Sequence, residues 1–400
     1  MTDICLVLEG TYPYKTGGVA AWVDALVNGL SELTFCVAHL YYGERPREKR
    51  YRVPSNIRSV VDISLNAPEH GTPLTIGLDT LLDQVPVARM YHPLSTGFAG
   101  YLGTALKRRR RAPMLLTEHG LYWREAELGI GELECGFKIV ETEAGPLALG
   151  RTWESWSETF RSLALDAYEA ADAITTVCDF NRRSQIALGA SERKARVIPN
   201  GVAIDRQISA YTTRTGAAHI ALVGRVSPLK DITTFIRACA VAQTTMPESR
   251  WSVIGPTHHD PAYYAECVRL ADSLGLKKFS FTGEADVHAL YPSIDVAVLT
   301  SASEAQPLVL LEAMSYGIPV VATDVGGVSE IVAPAGFAHA GILCPPADHA
   351  ACARAVMSLL ADRPLYEACS QAGRAIVEST HSLEAMIGTY RQLYGTLLSN

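Results

Sequence analysis

Short apolar runs recur along the chain, each closed by a glycine or a polar turn. They lie at residues 4–8, 85–90, 114–117, 173–177 and 195–198, and again at 220–223, 251–254, 278–281, 296–299 and 320–322. Runs this short, without period-two alternation, predict strands covered on both faces. Longer stretches with apolar positions at helical spacing separate them, among them residues 19–30, 152–170, 233–244, 261–274 and 308–316. Strand–helix alternation of this kind predicts an α/β chain with parallel sheets and right-handed crossovers. The rhythm restarts near residue 218, after Val197-Ile-Pro-Asn-Gly-Val202 and a stretch rich in Thr, Ser and Arg that ends at Gly216. A linker there divides the chain into one doubly wound domain over residues 1–203 and a second over 215–381. The last amphipathic stretch, residues 382–400, is expected outside the second domain's sheet.

Doubly wound sheets bind ligands in the loops that follow their strands. Four such loops stand out. The first runs from Glu9 to Gly17 and Gly18 ahead of a helix, where exposed N–H groups and the helix dipole favour an anion, although a glycine pair also makes a plain turn. The second reads Val223-Gly224-Arg225-Val-Ser-Pro-Leu-Lys230-Asp231. Its two cations suit a diphosphate, Arg225 by paired hydrogen bonds and Lys230 as a point charge; the alternative is two surface cations. The third is Glu304-Ala-Gln306-Pro307-Leu308-Val-Leu-Leu-Glu312. Pro307 suits a first helical turn, which leaves the N–H groups of Gln306 and Leu308 for a phosphate. Glu304 then lies before the helix, near any sugar on that phosphate, and Glu312 within it, where it can accept from ribose hydroxyls. Apolar neighbours make Glu312 a buried carboxylate in need of a partner. The fourth is Leu115-Leu-Thr-Glu118-His119-Gly120, whose His119 either orients a hydroxyl or serves the fold alone.

Composition narrows the classes. Of 400 residues, 48% are hydrophobic and 19% charged, enough apolar material for two cores, and the formal net charge of −7 argues against a nucleic-acid partner. The basic run at residues 107–111 is either a solvated helix end or a contact with an anionic membrane surface. Nine Cys lack zinc or disulfide spacing, which fits a reducing compartment. No apolar stretch reaches the 18 or so residues that span a bilayer, and the N-terminus reads as a strand. Neither G-x-G-x-x-G nor G-x-x-x-x-G-K-[ST] occurs. An oxidoreductase on this fold would need the first.

The four elements, in this order, resemble retaining glycosyltransferases of family 4, which have the GT-B fold: two doubly wound Rossmann-like domains facing a central cleft, the C-terminal helix crossing back to the N-terminal domain. Glu304 and Glu312 match the family's E-x7-E signature; Gly224, Arg225 and Lys230 match its second-domain phosphate loop; Gly17 and Gly18 match its first loop. The strings Leu8-Glu-Gly-Thr-Tyr-Pro-Tyr14, Tyr91-His-Pro-Leu-Ser-Thr-Gly97, Thr117-Glu-His-Gly120 and Val253-Ile-Gly-Pro256 are similar to the Pel exopolysaccharide (PelF-type) branch, whose members are longer in the N-terminal half.

The resemblance implies metal-independent retaining transfer from a UDP-sugar, UDP-glucose first, to a carbohydrate or other hydroxyl acceptor. No cofactor is implied beyond the donor. Arg225 and Lys230 would neutralise the leaving diphosphate. The Gly17–Gly18 loop and the helix start at Gln306, Pro307 and Leu308 would add N–H donors. Glu304 would hold the sugar, Glu312 the ribose, and His119 would act near the reacting carbon. The base would lie against Thr282-Gly283-Glu284-Ala285. A cytoplasmic location, peripheral to the inner membrane face through a polysaccharide-export complex, goes with that branch. A GT-B-fold UDP-sugar epimerase and a non-catalytic UDP-binding subunit are the rival expectations.

Overall fold

The computed structural model describes residues 1–66, 74, 76–128, 135–137, 153–204 and 216–399. The expected linker falls largely on residues 205–215, outside the described residues. Internal contacts divide the chain into two units, residues 1–199 with 384–400 and residues 200–383.

In the first unit, β1 (Thr2–Glu9), β2 (Phe35–Tyr41), β3 (Ile57–Ser64) and β4 (Ala88–Pro93) form a parallel sheet in the order β3-β2-β1-β4. A second parallel sheet joins β5 (Leu115–Glu118), β6 (Ala173–Thr176) and β7 (Ala195–Val197), and a bridge between Tyr91 and Met114 links the two. β1 is apolar and buried from Ile4 to Leu8, as an inner strand of a covered parallel sheet is. The expected run at residues 85–90 is displaced, since Pro86 lacks the N–H a central strand donates, and β4 starts only at Ala88. Helix Leu383–Ser399 packs in this unit. Its Tyr390 and Tyr394 are fully buried; the Tyr394 hydroxyl lies 2.7 Å from His92 Nδ1, and Arg391 reaches Glu32 at 2.6 Å. The basic run caps helix Phe98–Arg110 and is engaged internally: Lys107 pairs with Asp172, Arg109 with Asp83, and Arg110 donates to the carbonyls of Leu82, Val85 and Pro86.

Among the described residues of this unit, Glu9 and Glu118 are buried. Glu118 is completely covered but accepts from Thr96, Tyr168 and Gln185, so burial raises its pKa while three donors hold it in place. Glu9 accepts from Ser95 Oγ at 2.5 Å and from the Ala99 N–H at 2.9 Å, and burial outweighs both, lifting its pKa to about 7. A carboxyl raised above its unfolded value gives stability that is full below the unfolded pKa near 4.5 and lost as pH rises through 7. Glu9→Gln does not titrate, so its stability relative to wild type should rise by about 2 kcal/mol from roughly pH 5 to 7.5, read from urea midpoints. A constant difference across that window would refute the assignment.

The second unit holds one six-stranded parallel sheet in the order β10-β9-β8-β11-β12-β13. Its strands are β8 (His219–Val223), β9 (Arg250–Ile254), β10 (Phe279–Gly283), β11 (Val296–Leu299), β12 (Val320–Thr323) and β13 (Gly341–Cys344). The order reverses between β8 and β11, where ligands of doubly wound sheets collect. Both apolar faces are covered, one by a core around Phe235, Trp251 and Val356, the other by one around Leu310, Met314 and Ile376. Residues 200–202 and 381–383 run side by side, through Val202 N–H to His381 O at 2.9 Å and a bridge from Val202 to Ser382. Among the described residues, no helix is long and apolar enough to cross a membrane.

Candidate functional site

The loops after β8, β9 and β10 lie side by side, and Gly255 lets the first two backbones touch. The Gly224 N–H donates to Ile254 O, and the Gly255 N–H donates to Gly283 O, both at 2.9 Å. A Cβ on Gly255 would sit 2.2 Å from Gly224 O, so only glycine permits that approach. Gly283 thus closes β10 beside this loop, and Glu284 comes next on the surface. A Cβ on Gly224 would lie 3.8 Å from the Lys230 side chain, which places Gly224 and Lys230 together; Arg225 between them is half-buried.

The backbone at Lys230 is fixed by two neighbours, Asp231 and Thr300. Asp231 adopts a left-handed conformation, φ 42°, and caps helix Ile232–Gln243 by accepting from the Thr234 N–H. Thr300, at the end of β11, donates to the carbonyl of Lys230 at 3.0 Å and to that of Asp231 at 2.9 Å. This pins the β8 loop to the β11 loop. Across that seam Lys230 Nζ forms an ion pair with Glu304 Oε1, which also accepts from Ser301 Oγ at 2.6 Å. The pair is mostly covered, with side-chain exposures of 16% and 12%, so solvent screens it weakly. From below, the carbonyl of Glu304 accepts from the Gly327 N–H at 3.3 Å, and a Cβ on Gly326 would lie 1.7 Å from that carbonyl oxygen.

The helix after Glu304 starts later than its sequence suggests. It spans Leu308–Ser315, with Pro307 in extended conformation just ahead of it. Pro307 is therefore a lead-in, not part of the first turn, and has no N–H to give. The Gln306 side chain is used within the unit: its Oε1 accepts from the Asn200 N–H at 2.6 Å, and its carbonyl accepts from Asn200 Nδ2 at 3.0 Å. Leu308 supplies the first helical N–H. Glu312 lies one turn further on and does not join Lys230 and Glu304. Its Oε2 accepts from the hydroxyl of the fully buried Tyr291 at 2.8 Å.

In the first unit, Gly17 and Gly18 are exposed and begin helix Gly18–Gly29 after β1. His119 comes directly after β5 and lies edge-on to Trp22, ring centroids 4.7 Å apart. Burial depresses its pKa to about 4, so the ring is neutral at physiological pH and suits a hydroxyl better than an anion. Its Nε2 is buried without a hydrogen-bond partner among the described residues.

Sequence reasoning missed Ser301, Tyr291, Gly255 and Gly326. The Gly326–Gly327 pair, two residues beyond β12, is a readable signal, as is Gly255 after β9. Tyr291, 21 positions before Glu312 and on a different element, had none.

Residues 204–376 match the family described as Glycosyl transferases group 1, and residues 2–76 and 73–193 match a domain of unknown function, DUF3492. D-inositol 3-phosphate glycosyltransferase of Geodermatophilus obscurus is 27% identical over 297 residues, 68% of this chain and 65% of that protein. Glycogen synthase of Mycobacterium tuberculosis is 28% identical over 229 residues, 56% of this chain and 54% of that one. The chain thus spans between about half and two thirds of the length of these curated relatives. Among solved structures, Anabaena HepE in complex with UDP and glucose is similar with a TM-score of 0.72 at 18% identity, over 99% of this chain and all of that one. Sucrose-phosphate synthase from Thermosynechococcus elongatus is similar at 0.73 and 21%, over the whole of both chains. Likeness at such identities carries the fold, which is GT-B. The match over residues 204–376 lies within the second unit, which is similar to the family described as Glycosyl transferases group 1.

Proposed function

We propose that the protein is a retaining glycosyltransferase that moves a sugar from a UDP-sugar, UDP-glucose first among them, to a hydroxyl acceptor in the synthesis of an exopolysaccharide or other glycoconjugate. The observation that carries this reading is the treatment of the two carboxylates. Each has one oxygen held by the protein, Glu304 by Lys230 and Ser301, Glu312 by Tyr291, while the other oxygen accepts from no described group. Two acceptors with an oxygen to spare, one of them beside a cationic loop, fit a ligand that is hydroxylated at both ends and anionic in the middle, as a nucleoside diphosphate sugar is. In the reaction the bond from the anomeric carbon to the diphosphate breaks, UDP leaves, and a bond to the acceptor oxygen forms as its proton is lost. Lys230 and Arg225 neutralise the charge that develops on the departing diphosphate. Retention and independence of metal rest on the family resemblance, as do the Pel-type pathway and an export complex as partner. UDP as the nucleotide has support from HepE, which was solved with UDP and glucose.

Calorimetry with UDP, ADP, GDP and their glucose conjugates tests the donor. UDP and UDP-glucose should bind at least tenfold more tightly than the purine counterparts, and equal affinities would defeat the reading. Nuclear magnetic resonance of the turnover products separates transfer, which makes a new glycosidic bond, from epimerisation. Glu312→Gln should weaken UDP binding about 10- to 100-fold, the worth of a hydrogen bond to a charged group, with a smaller effect on kcat. Unaltered affinity would remove Glu312 from the nucleotide site.

A further inference from the structure

The loop that follows β2 concentrates charge. Residues 43–52, Gly-Glu-Arg-Pro-Arg-Glu-Lys-Arg-Tyr-Arg, hold five cations and two carboxylates in a chain whose formal charge is −7. Three anchors fix this loop. Gly43 and Asn66 exchange two hydrogen bonds of 2.8 Å. Arg45 reaches Asp62 Oδ2 through Nε at 3.0 Å and through a terminal nitrogen at 2.8 Å. The N–H groups of Arg50 and Tyr51 donate to Pro13 O at 2.8 and 3.2 Å. Pro13 lies in the loop after β1, so the cations stand at the carboxyl edge of the sheet, beside the loop that carries Gly17 and Gly18. Ligands of doubly wound sheets gather at that edge.

Four of the five cations have no counter-charge. Arg47, Lys49, Arg50 and Arg52 are exposed and form no ion pair among the described residues. Asp62 is already committed: besides Arg45 it accepts from the Tyr14 hydroxyl at 3.1 Å and lies 3.1 Å from His39 Nδ1. The basic run at residues 107–111 is different, because Lys107, Arg109 and Arg110 are all engaged within the unit. Crowding like charges on a fixed loop is unfavourable, and no contact in the unit offsets it; an external anion does. Three of the four are Arg, whose planar fork bonds a carboxylate or phosphate through two N–H groups. Their spread over six residues, with Glu48 among them, suits anions spaced along a chain. A bilayer surface fits less well. Segments that lie on membranes add apolar side chains to their cations. This loop has no exposed large apolar residue, since Tyr51 is half-buried against Tyr12 with ring centroids 5.4 Å apart. The reaction proposed above takes a hydroxyl acceptor, and a chain that carries both hydroxyls and spaced anions is an acidic glycan.

We propose that loop 43–52 is a docking surface for an anionic glycan chain, one with carboxylate or phosphate groups along its length, and that the acceptor belongs to this class. As an acceptor the chain rests on the transferase reading given above; as a ligand it does not.

Fluorescence anisotropy tests the proposal with three labelled hexamers: a uronic acid chain, a phosphorylated glucose chain and a plain glucose chain. Wild type should bind one anionic hexamer at least tenfold more tightly than the plain one, and lose that margin between about 50 and 500 mM salt. The two anionic arms tell carboxylate from phosphate. Arg47→Gln/Arg50→Gln should weaken the anionic hexamer by about tenfold or more, and leave UDP affinity and melting temperature as in wild type. Arg108→Gln/Arg111→Gln removes two exposed cations from the other basic run and should stay within about twofold of wild type. Equal losses in the two variants would mean attraction by general charge and overturn the proposal, as would equal affinity for all three hexamers. Binding to phosphatidylglycerol vesicles with none to either anionic hexamer would also overturn it. UDP calorimetry on the same proteins keeps the failures apart. A wild type that binds the anionic hexamer but not UDP strikes the transferase reading and leaves the docking surface standing.

Discussion

Lys230→Ala is expected to lower kcat/KM for UDP-glucose about 100- to 1000-fold, some 3–4 kcal/mol of transition-state stabilisation, the usual loss when a preorganised group is removed from developing charge. Lys230 has two conceivable uses that a single variant does not separate. It pairs with Glu304 across the seam between the β8 and β11 loops, and it stands beside Gly224 in the loop suited to a diphosphate. Removing it alone leaves Glu304 nearly covered, with Ser301 as its remaining donor, so stability should also fall. A cycle with Glu304→Gln separates the two. If Lys230 only orients Glu304, the double variant should be no slower than Glu304→Gln. If it also neutralises the leaving group, the double variant should be slower by a further tenfold or more, while part of the lost stability returns because no charge is left unpaired. Steady-state kinetics and melting temperatures of the four proteins measure both. A Lys230→Ala enzyme within threefold of wild type would end the assigned role.

The parts of this site that are legible in the sequence are those where backbone and motif coincide. The apolar runs of β8 and β11 end at Gly224 and at Thr300, and each loop after them carries its charged residue within a few positions. The pairing of Lys230 with Glu304 is not legible: 74 residues separate them, and only the side-by-side order of β8 and β11 joins them. In the sequence both read as facing a ligand, one its phosphate and one its sugar. The structure adds that each faces the other, which explains how two opposite charges keep fixed positions in a mostly covered place. The need of Glu312 for a partner is legible from its apolar neighbours, yet Tyr291 lies on another element and no spacing rule reaches it.

In the first unit the limits are different. β2 and β3 escape the apolar pattern, although Phe35–Tyr41 is almost wholly buried, because His39 and the edge strand's polar residues break it. The coverage of His39 is compensated by Asp62, 3.1 Å from its Nδ1, a relation that again only the folded sheet creates. The late start of helix Leu308–Ser315 has a similar origin. Pro307 is acceptable either as the first helical residue or just before it, and the bonds between Gln306 and Asn200 select the second by drawing the preceding chain out of helical geometry.

Gly326→Ala should cost more than any other single methyl in the second unit: at least about 3 kcal/mol of stability, and 100-fold or more in kcat/KM. Two effects add. Gly326 has φ 57°, where an alanine costs about 1 kcal/mol through its Cβ alone. That Cβ would also lie 1.7 Å from the carbonyl oxygen of Glu304 and 2.9 Å from its carbonyl carbon. These are backbone atoms, so no side-chain rotation relieves the overlap, and one of the two loops has to shift by an ångström or more. Either shift breaks the Gly327 N–H bond to Glu304 and moves the carboxylate relative to Lys230, and a displacement of that size is enough for a 100-fold loss of rate. Gly336→Ala is the control. It has φ 86° but nothing within 4 Å of its Cβ, so it should show the backbone cost of about 1 kcal/mol and unchanged kinetics. Parallel melting curves and UDP-glucose kinetics decide. If the two variants behave alike, the contact beneath Glu304 does not set its position, and the tight approach of the two loops is a feature of packing alone.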